Sequence, residues 1–305
     1  MKARYLTFIS YIGTPFRFVF KNYYVFLKIC TVLKDCLLPY STDGGVHALN
    51  TSAHFDLERY GNRIYEPSDI VFQLNKYFHK TNTSITVTKC LRVKDNFHAR
   101  YQAIRRTYLY RLAVLKPEID YSELSGIENE LLHCRAADFD IEKFKAATKY
   151  LVGYHDFTTF KKAGKTREYK HSRREIYSID VRPGRPLVLH HSEADSRFDY
   201  WDIEIRGRAF VHNQIRRMVG TLISVAIGKL PAEEIKVMLQ VPSKHSWHHF
   251  IQNCPPEGLY LCNVEYNPED LIFETDDEAA NKIDSNNNLK ENTERKLCES
   301  ESDSA

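Results

Sequence analysis

Apolar positions along this chain fall into two rhythms. Runs of β-branched and aromatic residues, or strict alternation, mark strands; apolar residues three and four apart mark helices. Arg4–Ile12 (RYLTFISYI) reads as a strand, ended by Gly13-Thr14-Pro15. Asn22–Leu33 reads as a buried helix, because Lys21, Lys28 and Asp35 fall seven apart and leave a single polar stripe. Ser68–His79 predicts a second helix with Ser68 as N-cap. Ser84–Val93 and Arg105–Val114 predict two further strands.

The second half repeats the mixture. Ile141–Val152 places Phe144, Ala147, Thr148 and Leu151 on one helical face, with Gly153 as the expected C′ residue. Tyr177, Ile179 and Val181 alternate, as do Trp201, Ile203 and Ile205, which predicts half-buried strands. Asn213–Lys229 has Ile215, Met218, Val219 and Leu222 at helical spacing, and Pro231 opens a short helix to Gln240. Glu257–Tyr266 closes the series as a strand. Without a Gly-rich phosphate loop or strict βαβ alternation, the pattern predicts an α+β fold with largely antiparallel sheets. The acidic, irregular stretch 116–137 reads as a linker between residues 1–115 and 138–266.

Charge changes the picture. The 305 residues carry net +3, but 267–305 hold 12 acidic and 4 basic residues, net −8, so residues 1–266 carry +11. A body that basic suits a polyanionic partner as well as a generally lysine-rich surface. The acidic tail, almost free of aromatics, is expected to be disordered. Seven scattered cysteines without a CxxC pair suit reduced thiols inside a cell, and the Cys and His spacings match no zinc site, so no metal is expected. Phe18–Leu38 is apolar but broken by Lys21, Lys28, Lys34 and Asp35, too short a run to span a membrane. Residues 1–40 have six basic residues and one acid, faintly like a transit peptide, so cytoplasm, nucleus and mitochondrion all stay open.

Three segments carry candidate chemistry. Ser41–Asn50 (STDGGVHALN) sets one carboxylate, Asp43, in an Asp-Gly turn with His47 close behind. By itself this reads as a solvated turn. Phe97–Arg111 (FHARYQAIRRTYLYR) packs four arginines, three tyrosines and a histidine into fifteen residues. Arginines fork onto phosphates and aromatics stack on unpaired bases, while Tyr108 and Tyr110 share one strand face. The same segment reads equally as an ordinary strand with solvated arginines. Phe210–Leu222 (FVHNQIRRMVGTL) sets Arg216 about 100° from buried Ile215, where it needs a carboxylate or snorkels at the helix flank. In GYHDFTTF (153–160), adjacent His155 and Asp156 point apart and read as structural.

Taken in order, STDGGVHAL, FHARYQAIRRTYLYRL, GYHDFTTF, RREI (173–176), FVHNQIRRMVGTL and CPPEGLYLCNVEY resemble the TruA family of tRNA pseudouridine synthases, most closely its eukaryotic synthase-like branch. The resemblance covers about residues 41–266, plus the opening RYLTFISYIGTPF. It implies two α+β domains whose sheets join across a basic central cleft, a homodimer, and conversion of uridine to pseudouridine in the tRNA anticodon arm, commonly at positions 38 to 40, a redox-neutral reaction for which no cofactor is expected. Carried over by motif, Asp43 is the nucleophile, Tyr108 contacts the target base and Arg216 pairs with the acid. Arg100, Arg105, Arg106 and His47 join them as substrate-binding candidates.

Two departures stand out. The family has arginine where this chain has Ser41, and Arg17–Tyr40 looks unrelated to the family and shorter by the resemblance. These motivate the alternative of a catalytically impaired relative that binds tRNA. A hydrolase of N-glycosidic bonds is a further reading of Asp43, weakened by the lack of a clear second acid.

Overall fold

The computed structural model describes residues 1–14, 43–61, 63–119, 139–162, 171–185 and 196–273. The helix expected at Asn22–Leu33, Ser41 itself, most of the expected linker and nearly all of the acidic tail lie outside them.

The described chain is α+β. Its strands are β1 (Lys2–Tyr11), β2 (His47–Glu58), β3 (Ile85–Val93), β4 (Arg105–Leu115), β5 (Gly153–Asp156), β6 (Arg173–Pro183), β7 (Phe198–Gly207) and β8 (Leu259–Glu265). They form one eight-stranded sheet in the order β3-β1-β2-β8-β4-β7-β6-β5. Neighbours are antiparallel except β2 and β8, which run parallel and pair only through His47–Tyr260 and Ala48–Leu261. The last strand therefore returns to the middle of the sheet, between β2 and β4.

Helices cover the sheet where the apolar pattern demands. In α1 (Pro67–Lys80), Ile70, Leu74 and Phe78 lie on one stripe and pack with Ala3, Tyr5 and Ile9 of β1 and Ala53, Phe55 and Leu57 of β2. Burial of each such side chain contributes about 1.5–3 kcal/mol. A second, larger core unites α2 (Ile141–Thr148), α3 (Gln214–Ala226) and α4 (Glu234–Gln240) with Tyr108, Tyr110, Ile203, Ile205, Leu259 and Leu261. Four-residue α5 (Pro268–Leu271) follows β8.

Boundaries shift from expectation for local reasons. Glu66, not Ser68, is the N-cap of α1, because Pro67 takes the first helical position, where its missing N–H costs nothing. Helix α2 stops at Thr148, so Gly153 is not its C′ residue; with φ +110° it instead opens edge strand β5. Pro231 stands in a turn ahead of α4. Among the described residues, no helix is long and apolar enough to cross a membrane.

Candidate active site

Asp43 begins a turn closed by the Val46 N–H donating to the Asp43 carbonyl at 3.2 Å, with Gly45 at φ +87°. That positive φ at the third turn position is a glycine geometry. Glycine is needed there a second time, because a Cβ on Gly45 would sit 2.9 Å from Pro256 Cγ. Gly13, at the end of β1, lies equally close; its Cβ would be 2.1 Å from the Val46 carbonyl oxygen. The acid-bearing turn is thus wedged between the end of β1 and the segment leading into β8.

From that turn the carboxylate meets the start of α3. Arg216 Nη1 stands 3.9 Å from Asp43 Oδ2, and His212 Nε2 stands 3.3 Å from Oδ1. The backbone N–H of Asn213, N-cap of α3 in the left-handed region at φ 60°, also donates to the carboxylate. A helix N-terminus carries partial positive charge and suits an anion. Arg216 is held on its other side: Nε donates to the Cys254 carbonyl at 2.5 Å and Nη1 to Asn213 Oδ1 at 2.8 Å. Its side chain is 13% exposed, at the edge of the buried stripe as its helical angle implies.

Burial pushes the Asp43 carboxyl above its ordinary value; His212, Arg216, the Asn213 N–H and Lys162 oppose that shift in decreasing order without cancelling it. The side chains that oppose the shift are all of basic type: His212, Arg216 and Lys162. The outcome is a poorly hydrated carboxylate, more reactive toward carbon or a proton than one solvated by water.

Tyr108 of β4 completes the constellation. Its ring is buried and packs edge-on to Phe210 at 5.1 Å. Burial first, and the nearby Asp43 charge after it, raise the phenol and keep it protonated. Tyr110 shares its strand face and is wholly buried, its hydroxyl donating to the Pro255 carbonyl at 3.1 Å. The pair is therefore packed beneath helices, not an open stacking platform.

The other sequence candidates divide by strand alternation. Arg106 lies on the Tyr108 face, buried, and donates to the carbonyls of Arg208 at 2.7 Å and Arg100 at 3.2 Å. Arg105 points the other way and grips Glu265 through two nitrogens. His47 stacks on Tyr260 at 4.7 Å, and Tyr260 pairs with Leu109, again on the face away from Tyr108. Its Nδ1 accepts from the Gly13 N–H. Arg100 is exposed beside Tyr101. The fold thus gathers Asp43, Arg216 and Tyr108, sets Arg106 next to them, and leaves Arg105 and His47 apart. His155 and Asp156 are tied locally, to the Val152 carbonyl and to Thr158.

Sequence reasoning passed over His212, Asn213 and Lys162. A signal was present for two of them: His212 and Asn213 directly precede the helix that carries Arg216. Lys162 is tied to this place through its N–H, which donates to the His212 carbonyl at 3.1 Å, a pairing no spacing announces. Among the described residues, no group of three or more His, Cys, Asp or Glu side chains is set to hold a metal.

A mixed sheet brings one turn-borne, arginine-backed carboxylate onto a helix N-terminus beside a buried tyrosine, and these residues form a candidate site built on a single carboxylate. Comparison with known proteins supplies the family. A sequence model described as tRNA pseudouridine synthase matches residues 147–267. The tRNA pseudouridine synthase-like 1 proteins of Xenopus laevis and Homo sapiens are each 31% identical to this chain; the matches cover 88% of this chain and 93% of the frog protein, and 87% and 91% for the human one. The tRNA pseudouridine synthase A of Dinoroseobacter shibae is 31% identical over 75% of this chain and 79% of its own length. The chain belongs to the TruA-type tRNA pseudouridine synthases, an isomerase family.

Proposed function

We propose that this protein converts uridine to pseudouridine in the anticodon arm of tRNA, at positions 38 to 40, with Asp43 as nucleophile on a uridine flipped out of its stack. The observation that carries the reading is the meeting of Asp43, Arg216 and Tyr108, drawn from three distant segments, around one desolvated carboxylate.

The chemistry is redox-neutral. The N1–C1′ bond breaks, the uracil turns, C5 bonds to C1′, the C5 proton leaves and N1 takes a proton. Bond cleavage develops positive charge on the ribose, which an anionic carboxylate stabilises by attack at C1′. Arg216 and the α3 N-terminus orient that carboxylate and favour its ionised form. Tyr108 packs against the uracil, and its protonated phenol offers a hydrogen bond at the turning base. A second acid that activated water would release the base; the side chains acting on Asp43 are His212, Arg216 and Lys162, with no second acid among them, which favours isomerisation over hydrolysis. In this reading residues 1–115 and 138–266 act as two halves flanking a basic cleft, in a homodimer.

The second reading, a tRNA-binding relative without turnover, is favoured by one observation: Ser41 stands where the family has arginine. Tritium release from tRNA labelled at uridine C5 separates the two, since only an isomerase frees the label. Free uracil in the same assay would mark a hydrolase.

A further inference from the structure

Three exposed or half-exposed arginines lie on neighbouring segments next to the site, none of them in an ion pair among the described residues. Buried Arg106 is the reason. A guanidinium taken out of water ordinarily meets an acid; this one donates to the backbone carbonyls of Arg208 and Arg100, and so fixes the loop before β4 and the loop after β7 against each other. The Arg208 N–H in turn donates to the Glu175 carbonyl at 3.4 Å, which brings β6 and its Arg174 alongside. Arg174 spends Nη1 on the carbonyls of His171 and Arg173, while its Nε is buried without a hydrogen-bond partner. Neighbouring arginines are paired: Arg105 with Glu265, Arg182 and Arg206 with Glu204. Among the described residues, Arg100, Arg174 and Arg208 form no such ion pair.

We infer that Arg100, Arg174 and Arg208 form a site for an RNA phosphodiester next to the nucleotide presented to Asp43, organised from beneath by Arg106. The inference rests on the tRNA reading above. Like charges gathered by the fold repel one another until an anion enters; burial first, and Arg100 after it, already depress the Arg174 guanidinium, with Tyr154 and Asp156 opposing them. The nearby acids do not fill that role: Glu175 is exposed, and Asp156 accepts from the Thr158 N–H and hydroxyl. RNA is the favoured anion because aromatic rings flank the cluster. Tyr101 is 74% exposed beside Arg100, and Tyr154 is 66% exposed on β5, opposite Glu175. Exposed rings beside arginines suit bases and backbone together. The location fits as well. Arg106 and Tyr108 are two residues apart on one strand face, ~7 Å, and Arg208 lies two residues before Phe210, whose ring meets Tyr108.

The test uses full-length Asp43→Asn, which binds without turnover, and an unmodified tRNA transcript over a range of salt concentrations. Arg100→Gln, Arg174→Gln and Arg208→Gln should each lower the slope of log K against log salt by about 0.7–0.9, as expected for one lost phosphate contact. Arg182→Gln, at an arginine already paired with Glu204, should leave the slope unchanged. With Asp43 intact, the three substitutions should raise KM for tRNA more than they lower kcat. The paired variant Arg100→Gln/Arg208→Gln changes only exposed side chains, so folding is not at stake. An unaltered slope and affinity in that pair, while the protein with Asp43 intact releases tritium normally, overturns this site alone. Failure of the protein with Asp43 intact both to bind tRNA and to release tritium overturns the reading on which it rests, and the site with it.

Discussion

Asp43 combines two properties that pull in opposite directions: burial that disfavours its charge, and basic side chains with a backbone N–H that favour it. Its pKa in the fold lies above the ordinary carboxylate value, so the native state binds its proton more tightly than the unfolded chain does. Stability contributed by Asp43 is therefore full below about pH 3.9 and falls as pH rises through the folded value. At neutral pH the ionised acid is a cost to the fold, and Asp43→Asn should raise the melting temperature at pH 7 with no gain near pH 3, measured by thermal unfolding at both. The same substitution should lower tritium release by at least ~10³-fold, on the scale of losing a group used in the transition state. Arg216→Gln removes a cation that opposes the upward shift, so the acid limb of kcat/KM should move to higher pH, with activity down about 10²–10³-fold. An acid limb that stays in place would show that Arg216 does not act on the carboxylate.

Helix α3 is the element that fixes this geometry, and it does so through close backbone approach. A Cβ on Gly220 would come within 2.0 Å of the Gln252 carbonyl oxygen, on the segment whose Cys254 carbonyl holds Arg216. Gly220→Ala should thus cost about 1–3 kcal/mol by overpacking and reduce kcat together with stability, read by denaturant unfolding and tritium release on one preparation. Strand β2 carries a different sensitivity. Buried His54, its Nδ1 accepting from the Ala99 N–H, is lowered to about 4 by burial first, then by His98 and Arg4. Being depressed, it stabilises the fold fully above pH 6.5 and loses that contribution as pH falls toward 4. His54→Asn should flatten the pH dependence of stability across that window. The sequence announced these elements well, because apolar period tracks burial: β1, α1, β3, β4, α3 and β8 all fall within a few residues of expectation. It announced their ends less well, since Pro67 and Gly153 have local roles that propensity alone does not rank. The edge position of Arg216 was legible from its helical angle, but its facing a carboxylate was not, because a snorkelling arginine fits the same angle. Arg105 and Arg106 were not separable until the strand existed, because adjacency in sequence reads as clustering while alternation sends them to opposite faces.

For the whole molecule, the eight strands form one sheet only because β8 returns between β2 and β4. The acid arrives from before β2, the arginine from after β7, and the tyrosine from β4. No single motif holds the site, which is why STDGG reads as an ordinary turn in isolation and as a catalytic loop only in company with FVHNQIRRMVG. Residues 1–266 carry net +11. Binding of tRNA should accordingly weaken steeply with salt. The central claim is that Asp43 performs uridine isomerisation in this fold. Its most direct test is tritium release from tRNA labelled at uridine C5, comparing the unaltered protein with Asp43→Asn. The account predicts release with formation of pseudouridine by the first and loss of both in the second; equal release by the two proteins would contradict it.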